Sequence, residues 1–400
     1  MSIAARAASL GTTVFSEFTA LAQKSGAVNL GQGFPDFDGP AEIKEAAIAA
    51  IRAGENQYAP GPGSLALRTA ISEHAARFYG QSLDPNSMIT VTSGATEALF
   101  DALLGLVDPG DEVVVFEPFY DSYLAGIEMA GGVVRPVLLR PPDATHETFW
   151  FDADELRAAF SPRTKLVLLN TPHNPTGKVF TLAELELIAQ LIEEHDALAL
   201  VDEVYEHLVY APARHLRFAT LPGMHARTLT ISSAGKSFSL TGWKIGWAMG
   251  PAELRRGVQS VHQFVTFASA APFQTAVAAA LRLPDDYFAL VAREFVARRD
   301  RLAAALALAG LPTHRCDGAY FLLADISLAR DANGAPFADD FAFCRHLTEK
   351  IGVAAIPPSA FYTAAHAQAG RGLARFAFCK RDATLDEAGS RLAKLSRATK

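Results

Sequence analysis

Residues 165–203 read KLVLLNTPHNPTGKVFTLAELELIAQLIEEHDALALVDE, and they contain two short apolar runs on either side of a helical stretch. The runs are KLVLLN (165–170) and ALALVDE (197–203), and the stretch between them extends from Leu182 to His195. Apolar runs of strand length that alternate with helices are typical of α/β domains with a mostly parallel sheet. This segment therefore predicts two strands and a connecting helix of such a sheet.

The same alternation continues on both sides of this segment. Further strand-like runs are MITVT (88–92), EVVVF (112–116), TLTISS (228–233) and KIGWAMG (244–250). A helix is predicted from Thr96 to Val107, and Ser64 is a candidate N-cap of an earlier one. That earlier helix places three apolar residues on one face: Leu67, Ile71 and Phe78. This part of the chain is therefore predicted to form a large α/β domain.

The pattern changes after about Leu283. A long helical stretch from Asp286 to about Leu308 precedes three further strand-like runs, AYFLLADIS (319–327), VAAIP (353–357) and LARFAFC (373–379). A last helix is predicted from Thr384. This mixture indicates a smaller α+β domain. We predict a large domain over residues 41–284 and a small domain, with an N-terminal arm, from residues 1–40 and 285–400.

Composition restricts the class of protein. The 400 residues carry a formal net charge of -7, so nucleic acid is not expected as a main partner, because phosphate backbones need a basic surface. No apolar run approaches the roughly 20 residues of a membrane helix, and the N-terminus lacks a secretory pattern. The 3 cysteines and 11 histidines show no metal-ligand spacing and no disulfide framework. We predict a cytoplasmic soluble protein without a metal site.

Three polar motifs follow predicted strands. TSGATEA (92–98) lies where a strand meets a helix, and the free N–H groups there could bind a phosphate or simply be capped by Ser93 or Thr96. Asp202 ends an apolar strand and either faces a ligand crevice or caps the next turn. Lys236 lies in SSAGKS (232–237). It is either a nucleophilic amine with a lowered pKa or a loop residue that faces solvent.

Two more residues are candidates for binding a ligand. Asn174 lies in NTPHNPTG (170–177), which is also a proline-rich turn, and its amide could donate to a ligand oxygen. Arg375 lies within a late strand, where its partner is either a substrate carboxylate, bound bidentately, or an internal acid. Pyridoxal phosphate requires an amine, a phosphate seat, an acid for its ring nitrogen and a stacking surface, and the motifs offer each of them.

Together and in this order, the motifs resemble the class I/II aminotransferases of fold type I over nearly the whole chain, from GQGFPDF (31–37) to RFAFCK (375–380). The most specific pieces are NQYAPGPG (56–63), TSGATEAL (92–99), EPFYDSY (117–123), LNTPHNPTGK (169–178), DEVYEHLVY (202–210) and SSAGKSFSLTGWKIGW (232–247). The sequence is most similar to the kynurenine/glutamine transaminase branch and to the bacterial methionine aminotransferase type. The resemblance implies the pyridoxal-phosphate-dependent transferase fold of type I.

The resemblance also implies how the cofactor is bound. Lys236 would hold pyridoxal phosphate as a Schiff base and shuttle the proton, and Asp202 would pair with the ring nitrogen. Tyr205 and Asn174 would bind the ring hydroxyl, and Phe119 would stack on the ring. The residues that would surround the phosphate are Gly94, Ala95, Thr96, Ser233, Lys244 and, from the neighbouring subunit of a homodimer, Tyr58.

The residues implied to contact the substrate share one cleft. Those for the substrate carboxylate are Gly33, Asn174 and Arg375, and those for an apolar side-chain pocket are Phe15 and Phe267. Two positions depart from the pattern of the family. Lys244 stands where many relatives have arginine, so it supplies the charge without the fork geometry. His173 stands where an asparagine often precedes Asn174, and the sequence assigns it no role.

The expected activity is transfer of the α-amino group of an L-amino acid of the methionine, aromatic, kynurenine or glutamine type to a 2-oxo acid. No second cation can be assigned to a side-chain carboxylate, so aspartate is not expected as the preferred donor. Two alternatives stay open. One is a β-lyase that eliminates a substituent from cysteine conjugates on the same scaffold. The other is a non-catalytic regulator that senses pyridoxal phosphate, which would need a basic DNA-binding segment that the acidic chain does not show.

Overall fold

The structure, a computed structural model, describes residues 3–8, 10–331 and 333–395. Its β-strands are β1 (Val28–Asn29), β2 (Ile89–Ser93), β3 (Glu112–Glu117), β4 (Val133–Leu138), β5 (Thr164–Asn170), β6 (Leu198–Asp202), β7 (Thr228–Ser233), β8 (Ile245–Met249), β9 (Phe321–Asp325), β10 (Val353–Ala354) and β11 (Leu373–Ala377). Its α-helices are α1 (Ala5–Ala8), α2 (Val14–Ser25), α3 (Ala41–Arg52), α4 (Leu65–Tyr79), α5 (Gly94–Leu106), α6 (Asp121–Ala130), α7 (Ala153–Ala159), α8 (Leu182–Glu194), α9 (Ala234–Ser237), α10 (Ala252–Val265), α11 (Ala271–Ala280), α12 (Asp285–Leu308), α13 (Asp340–His346) and α14 (Asp382–Leu392).

A seven-stranded sheet forms the centre of the fold, in the order β2-β8-β7-β6-β5-β3-β4. All its neighbouring strands are parallel except at β8, which runs antiparallel to both β2 and β7. The predicted strands at 165–170 and 197–203 are direct neighbours, paired from Leu166 with Leu198 to Asn170 with Asp202. The prediction of a mostly parallel α/β sheet is therefore confirmed.

Helices cover both faces of this sheet, which explains why its strands are apolar along their whole length. In β3, Val113 and Val115 belong to the core shared with α5, whereas Val114 and Phe116 belong to the core shared with α8. Successive side chains of a strand point to opposite faces, so each face takes every second residue. The edge strand β4 was not predicted, because Arg135 and Pro136 interrupt its apolar pattern.

The chain outside the sheet forms a second layer of packing. β1 pairs with β10, and β9 pairs antiparallel with β11, so the N-terminal residues lie against the C-terminal third of the chain. Phe18 and Leu30 share a hydrophobic core with residues of α12, β9 and β11. This packing agrees with the predicted partnership of the two chain ends, although the boundaries at 40 and 284 stay a prediction.

Two local features complete the comparison with the sequence. Ser64 caps α4 as predicted, since its hydroxyl accepts a hydrogen bond from the Leu67 N–H at 3.3 Å. Within the described ranges, none of the helices combines the length and apolar character needed to cross a membrane.

Candidate active site

The carboxyl ends of neighbouring strands bring the predicted motifs together. Asn170 ends β5, Asp202 ends β6 and Ser233 ends β7, and all three lie at one edge of the sheet. Ser93 ends β2 at the same edge, because β2 and β7 both run antiparallel to β8. In open α/β sheets this edge is where ligands bind.

A cavity of about 280 Å³ opens at this edge. Of the predicted site residues, those that line it are Phe15, Gly33, Ala95, Thr96, Asn174, Asp202, Tyr205, Lys236 and Arg375. A smaller adjoining cavity of about 210 Å³ is lined by the remaining residues predicted for the phosphate of this subunit, namely Gly94, Ser233 and Lys244, together with Thr241. Most of the predicted site is therefore one continuous region.

Lys236 lies at the junction of the two cavities. Its Nζ donates a hydrogen bond to Tyr320 Oη at 2.8 Å and lies 3.4 Å from the Gly33 carbonyl oxygen. The Tyr320 hydroxyl in turn donates to the same carbonyl at 2.5 Å. Burial lowers the pKa of Lys236 to about 8, against an ordinary 10.5. A larger fraction of this amine is therefore neutral and nucleophilic near physiological pH than in an ordinary lysine.

Asp202 faces the same cavity as a buried acid. Its Oδ2 accepts a hydrogen bond from the Tyr123 hydroxyl at 2.7 Å, and its Oδ1 accepts one from the Val204 N–H at 3.2 Å. Burial raises the pKa of Asp202 to about 6, and the two hydrogen bonds oppose that rise. A cationic group in the cavity would stabilise the ionised carboxylate.

Arg375 carries most information about the ligand of the site, because it is only 1% exposed and, among the described residues, no carboxylate lies within ion-pairing distance of it. Its guanidinium donates to the Gly31 carbonyl at 2.8 Å and to Asn174 Oδ1 at 3.1 Å, while Nε has no partner. In the described part of the chain no carboxylate forms an ion pair with it. The internal acid considered for Arg375 is therefore not observed. Burial lowers the pKa of Arg375 to about 10.

The start of α5 is the position at which the sequence predicts a phosphate site. Gly94 begins the helix with a φ of +79°, a conformation that disfavours side chains. A Cβ at this position would lie 3.1 Å from Lys244 Nζ, which shows how closely the lysine approaches the helix start. Ser93 makes no side-chain cap. Free N–H groups at the start of α5 and the Lys244 ammonium thus face one small cavity.

The structure corrects the predicted stacking residue. Phe119 is buried in the core that α5 and β3 share, its backbone N–H donates to the Phe361 carbonyl at 2.8 Å, and it is absent from the cavity wall. Its neighbour Tyr120 lines the cavity instead. Phe119 is therefore not placed to contact a ligand in the cavity, because the chain after β3 no longer follows strand alternation and turns its side chain into the core.

Tyr58 and Phe267 lie outside the cavity of this chain. Tyr58 is 84% exposed, and its ring contacts that of Phe267 edge-on with centroids 5.3 Å apart. Phe15 differs, because it lines the cavity and its ring lies 4.9 Å from the Arg375 guanidinium. Of the two aromatic residues predicted for the substrate side-chain pocket, Phe15 and Phe267, only Phe15 lines the cavity of this chain.

Sequence reasoning missed three polar residues of the site: Asn170, Tyr123 and Tyr320. Tyr123 and Asn170 lie inside the quoted motifs EPFYDSY and LNTPHNPTGK, so their hydrogen-bonding groups were visible. Asn170 holds Asn174 in place, since its Oδ1 accepts the Asn174 N–H at 2.7 Å. Tyr320 carried no such signal, because it precedes an apolar strand and looked like core.

His173, which the sequence left without a role, stabilises the turn after β5. It is buried, and its Nδ1 lies 2.8 Å from Thr176 Oγ1. Its backbone N–H donates to the Lys178 carbonyl at 2.8 Å. Burial, with the nearby Lys178 charge, lowers the pKa of His173 to about 3, so the ring is neutral. It supports the loop that carries Asn174.

One cleft thus combines an amine whose pKa is lowered, a buried acid and a guanidinium without an ion-pair partner among the described residues. This arrangement suits an enzyme that exchanges the amino group of a carboxylate-bearing substrate. The chain belongs to the aminotransferase class I and II family, whose model matches residues 25–392. The protein is an aminotransferase, and the family implies pyridoxal phosphate as its cofactor.

Several relatives match over almost the whole chain. A probable N-succinyldiaminopimelate aminotransferase of Mycobacterium tuberculosis (strain ATCC 25618 / H37Rv) is 50% identical over 393 residues, which cover 96% of each chain. The methionine aminotransferase of Escherichia coli (strain K12) is 41% identical over 386 residues, again 96% of each. The solved structure of N-succinyldiaminopimelate aminotransferase from Mycobacterium tuberculosis superposes with a TM-score of 0.91 at 49% identity, covering 98% of this chain and 100% of that one.

Proposed function

We propose that this aminotransferase binds pyridoxal phosphate at Lys236 and takes the α-amino group from an L-amino acid with an apolar or aromatic side chain, passing it to a 2-oxo acid. The observation that carries the proposal is Arg375, a buried guanidinium without an acid partner in the cavity that also contains Lys236. An α-carboxylate bound bidentately at Arg375 would place the α-carbon of the same molecule toward the lysine.

The residues present fit the cofactor. When bound, pyridoxal phosphate supplies an aldehyde that takes up the amino group and a ring that withdraws electrons from the α-carbon. Gly94 leaves the start of α5 open for the phosphate, beside Lys244. The buried Asp202 is suited to a protonated ring nitrogen, because that cation would offset the burial that raises its pKa to about 6. Tyr120, one of several aromatic residues on the cavity wall, is assigned to stacking on the ring.

Further residues complete the proposed cofactor site. Tyr205 and Asn174 are assigned to the ring hydroxyl, since both line the cavity and are buried. Ala95 and Thr96 offer backbone N–H groups to the phosphate from the first turn of α5, and Ser233 adds a hydroxyl.

Tyr320 is assigned to positioning the amine that moves the proton. The Lys236 amine, when free, donates to the Tyr320 hydroxyl at 2.8 Å, and that hydroxyl is itself fixed by its bond to the Gly33 carbonyl. An amine held through its N–H groups keeps its lone pair free to accept the α-proton. Lys236 is then the base that removes this proton and the acid that returns it.

The wall of the cavity supports an apolar donor. The aromatic and aliphatic residues on it include Phe15, Phe34, Leu99 and Phe321. The only cationic side chains that line it, in the part of the chain that the structure describes, are Lys236 and Arg375. Both are already assigned, so a second carboxylate of an aspartate-like donor would be buried without a counterion, which is costly. Methionine, aromatic amino acids, kynurenine and glutamine fit this cavity better.

An N-succinylated diaminodicarboxylate is the second candidate donor. It is favoured by the 50% identity to the probable N-succinyldiaminopimelate aminotransferase of Mycobacterium tuberculosis. Such a donor carries further carboxylates on a long chain, so it would have to reach cations outside the cavity wall. Elimination from cysteine conjugates, on the same residues, stays a possible side activity.

The working unit is proposed to be a homodimer with a cytoplasmic location. Exposed apolar residues lie around one loop and the end of α10: Tyr58, Phe264, Val265 and Phe267. A contiguous patch of this kind is typical of an interface, and a partner subunit covering it would receive Tyr58 near its own phosphate. All three cysteines are free and buried, which suits a reducing compartment.

Cofactor attachment is tested by borohydride reduction followed by peptide mass spectrometry. The reduced cofactor should be found on Lys236 and should be absent from Lys236→Ala. Modification of another lysine in the unchanged protein would contradict the assignment. Arg375→Gln should keep the cofactor on Lys236.

The donor class is tested by measuring kcat/KM for methionine, phenylalanine, kynurenine, glutamine, aspartate and N-succinyldiaminopimelate with a common 2-oxo acid. Arg375→Gln should lower kcat/KM for every donor by about 10–150-fold, the value of a hydrogen-bonded charge of about 1.5–3 kcal/mol. Methionine and the aromatic donors should exceed aspartate. A clear preference for aspartate would refute the apolar pocket, and a preference for the succinylated donor would select the second candidate.

A further inference from the structure

Asp101 is a buried acid that the active site does not use. It lies in the second turn of α5, is 0% exposed, and neither oxygen of its carboxylate has a hydrogen-bond partner in the described part of the chain. Buried polar groups are almost always paired, and an isolated buried carboxylate is strongly unfavourable. Among the described residues, the carboxylate of Asp101 therefore has no hydrogen bond, and its one ion-pair contact, with His262 Nδ1, is long at 3.9 Å.

Two further ligand groups face Asp101. His262 Nδ1, on α10, lies 2.9 Å from Glu97 Oε1 and 3.9 Å from Asp101 Oδ2. The three ligand atoms all lie within 4.8 Å of one another. On the far side of the ring, Nε2 of His262 donates to the Gly61 carbonyl at 3.0 Å. That bond uses the Nε2 proton. Nδ1 faces a carboxylate oxygen, which can only accept, so in the free protein Nδ1 also carries a proton, which a bound ion would displace.

We propose that Glu97, Asp101 and His262 bind one divalent transition-metal cation of the Zn²⁺ type. Two carboxylates and an imidazole that has released its Nδ1 proton are ligands that such an ion accepts, and its charge balances both carboxylates. Ligand atoms about 2.0–2.2 Å from an ion stand about 3–4 Å apart, so the observed separations require only a small inward shift. No ligand spacing is visible in the sequence, because Glu97 and His262 are 165 residues apart.

A second group of potential metal ligands differs from the proposed site, because its members already have partners. His74, Glu206 and His207 also lie within 4.8 Å of one another. Their groups are already paired, since the two Nε2 atoms lie 2.7 Å apart and the Glu206 carboxylate bonds Arg217 and the Ser232 hydroxyl. Both carboxylate oxygens of Glu206 are hydrogen-bonded, so this cluster does not require a bound ion to balance a buried charge.

The proposed ion would stabilise the surroundings of the cofactor site. His262 connects α10 to the loop at Gly61, and Glu97 lies in the first turn of α5 and accepts the Ser93 N–H. An ion bound to both residues would hold the loop that carries Tyr58 against the helix that begins at Gly94. This role is structural and does not depend on which amino acid the enzyme uses.

The test measures Zn²⁺ bound to the purified full-length protein after chelation and dialysis against Zn²⁺, with Mg²⁺ as the control ion. About one Zn²⁺ per chain should be retained, and thermal unfolding should shift upward with Zn²⁺ but not with Mg²⁺. Asp101→Asn keeps the shape and removes the charge, and it should weaken Zn²⁺ binding by more than about 100-fold. His262→Gln serves as a second variant if Asp101→Asn does not fold.

The matched control is His207→Gln, which removes a ligand from the other cluster. It should retain the Zn²⁺ that Asp101→Asn loses. Loss of Zn²⁺ in His207→Gln with retention in Asp101→Asn would move the site to the other cluster and overturn the proposal. Absence of stoichiometric Zn²⁺ in the unchanged protein would overturn it as well.

Discussion

At the scale of single residues, burial shifts two pKa values toward neutrality in one cleft. Desolvation disfavours the charged form, so it lowers the pKa of Lys236 to about 8 and raises that of Asp202 to about 6. The lysine thereby becomes a usable nucleophile. The acid is prepared for a cationic partner, because a positive charge beside it would return its pKa toward the ordinary value.

The pH dependence of cofactor attachment follows from the pKa of Lys236. Only the neutral amine attacks an aldehyde, so attachment to the apoenzyme should accelerate as pH rises and level off above about 8. At pH 7 about a tenth of the amine is neutral, whereas an ordinary lysine would have well under a thousandth. Stopped-flow absorbance between pH 6.5 and 10 measures this rate. An inflection near pH 10 would show that burial does not lower the pKa.

Tyr320 can be tested against a tyrosine of similar burial. Tyr320→Phe removes the acceptor for the Lys236 amine, so kcat should fall by about 10–100-fold while the donor KM changes little. Tyr210 is also buried, and its hydroxyl donates to the carbonyl of Ala319, next to Tyr320. Tyr210→Phe loses a comparable bond and should lower stability, by about 1 kcal/mol, without lowering kcat. If kcat fell equally in both variants, the loss in Tyr320→Phe would reflect reduced stability and not the positioning of the Lys236 amine.

At the scale of elements, the site residues at the ends of strands could be predicted from the sequence. Continuous apolar runs identified β3, β5, β6 and β7, and the polar residue at each strand end follows from where the run stops. The site residues that the sequence did not predict correctly lie just outside the regular strands and helices. The segment after β3 lacks alternation, so the sequence could not distinguish Phe119 from Tyr120. Tyr320 was hidden because a tyrosine before an apolar strand usually belongs to the core.

The start of α5 gives a prediction at this scale. Gly94→Ala introduces a side chain at φ +79° and crowds Lys244, so pyridoxal phosphate should dissociate about tenfold more readily. Gly54→Ala is the control, because its φ is +90° and nothing lies within 4 Å of the added Cβ. Both variants should lose about 1–2 kcal/mol of stability through backbone strain. Titration with pyridoxal phosphate should distinguish the two variants. Equal affinities for the cofactor in Gly94→Ala and Gly54→Ala would contradict a role of Gly94 in binding the phosphate.

At the scale of the whole molecule, the site depends on contacts between distant parts of the chain. Arg375 on β11 and Gly33 after β1 line the same cavity as Asp202, at the end of β6, and Lys236, on α9. The order of elements predicted the fold class, but physical reasoning on sequence left Arg375 with two possible partners. Only the packing shows that, within the described part of the chain, no carboxylate lies at ion-pairing distance from it.

The exposed patch predicts the state of assembly. Phe264 is 87% exposed on α10, so Phe264→Arg should weaken the dimer if this patch is the interface. Leu308, which is 80% exposed at the end of α12, gives the control Leu308→Arg. Analytical ultracentrifugation should show a dimer for the unchanged protein and Leu308→Arg, and a shift toward monomer for Phe264→Arg. A dimer that is insensitive to Phe264→Arg would place the interface elsewhere.

The most direct measurement of the central claim is a half-reaction without any acceptor. Protein loaded with pyridoxal phosphate is mixed with single L-amino acids, and the cofactor absorbance is followed, with Lys236→Ala as the control. Methionine and aromatic donors should convert the cofactor to its pyridoxamine form in the unchanged protein and not in Lys236→Ala. If no amino acid converts it while pyruvate is released from a cysteine conjugate, elimination is the main reaction and the proposed donor class is wrong.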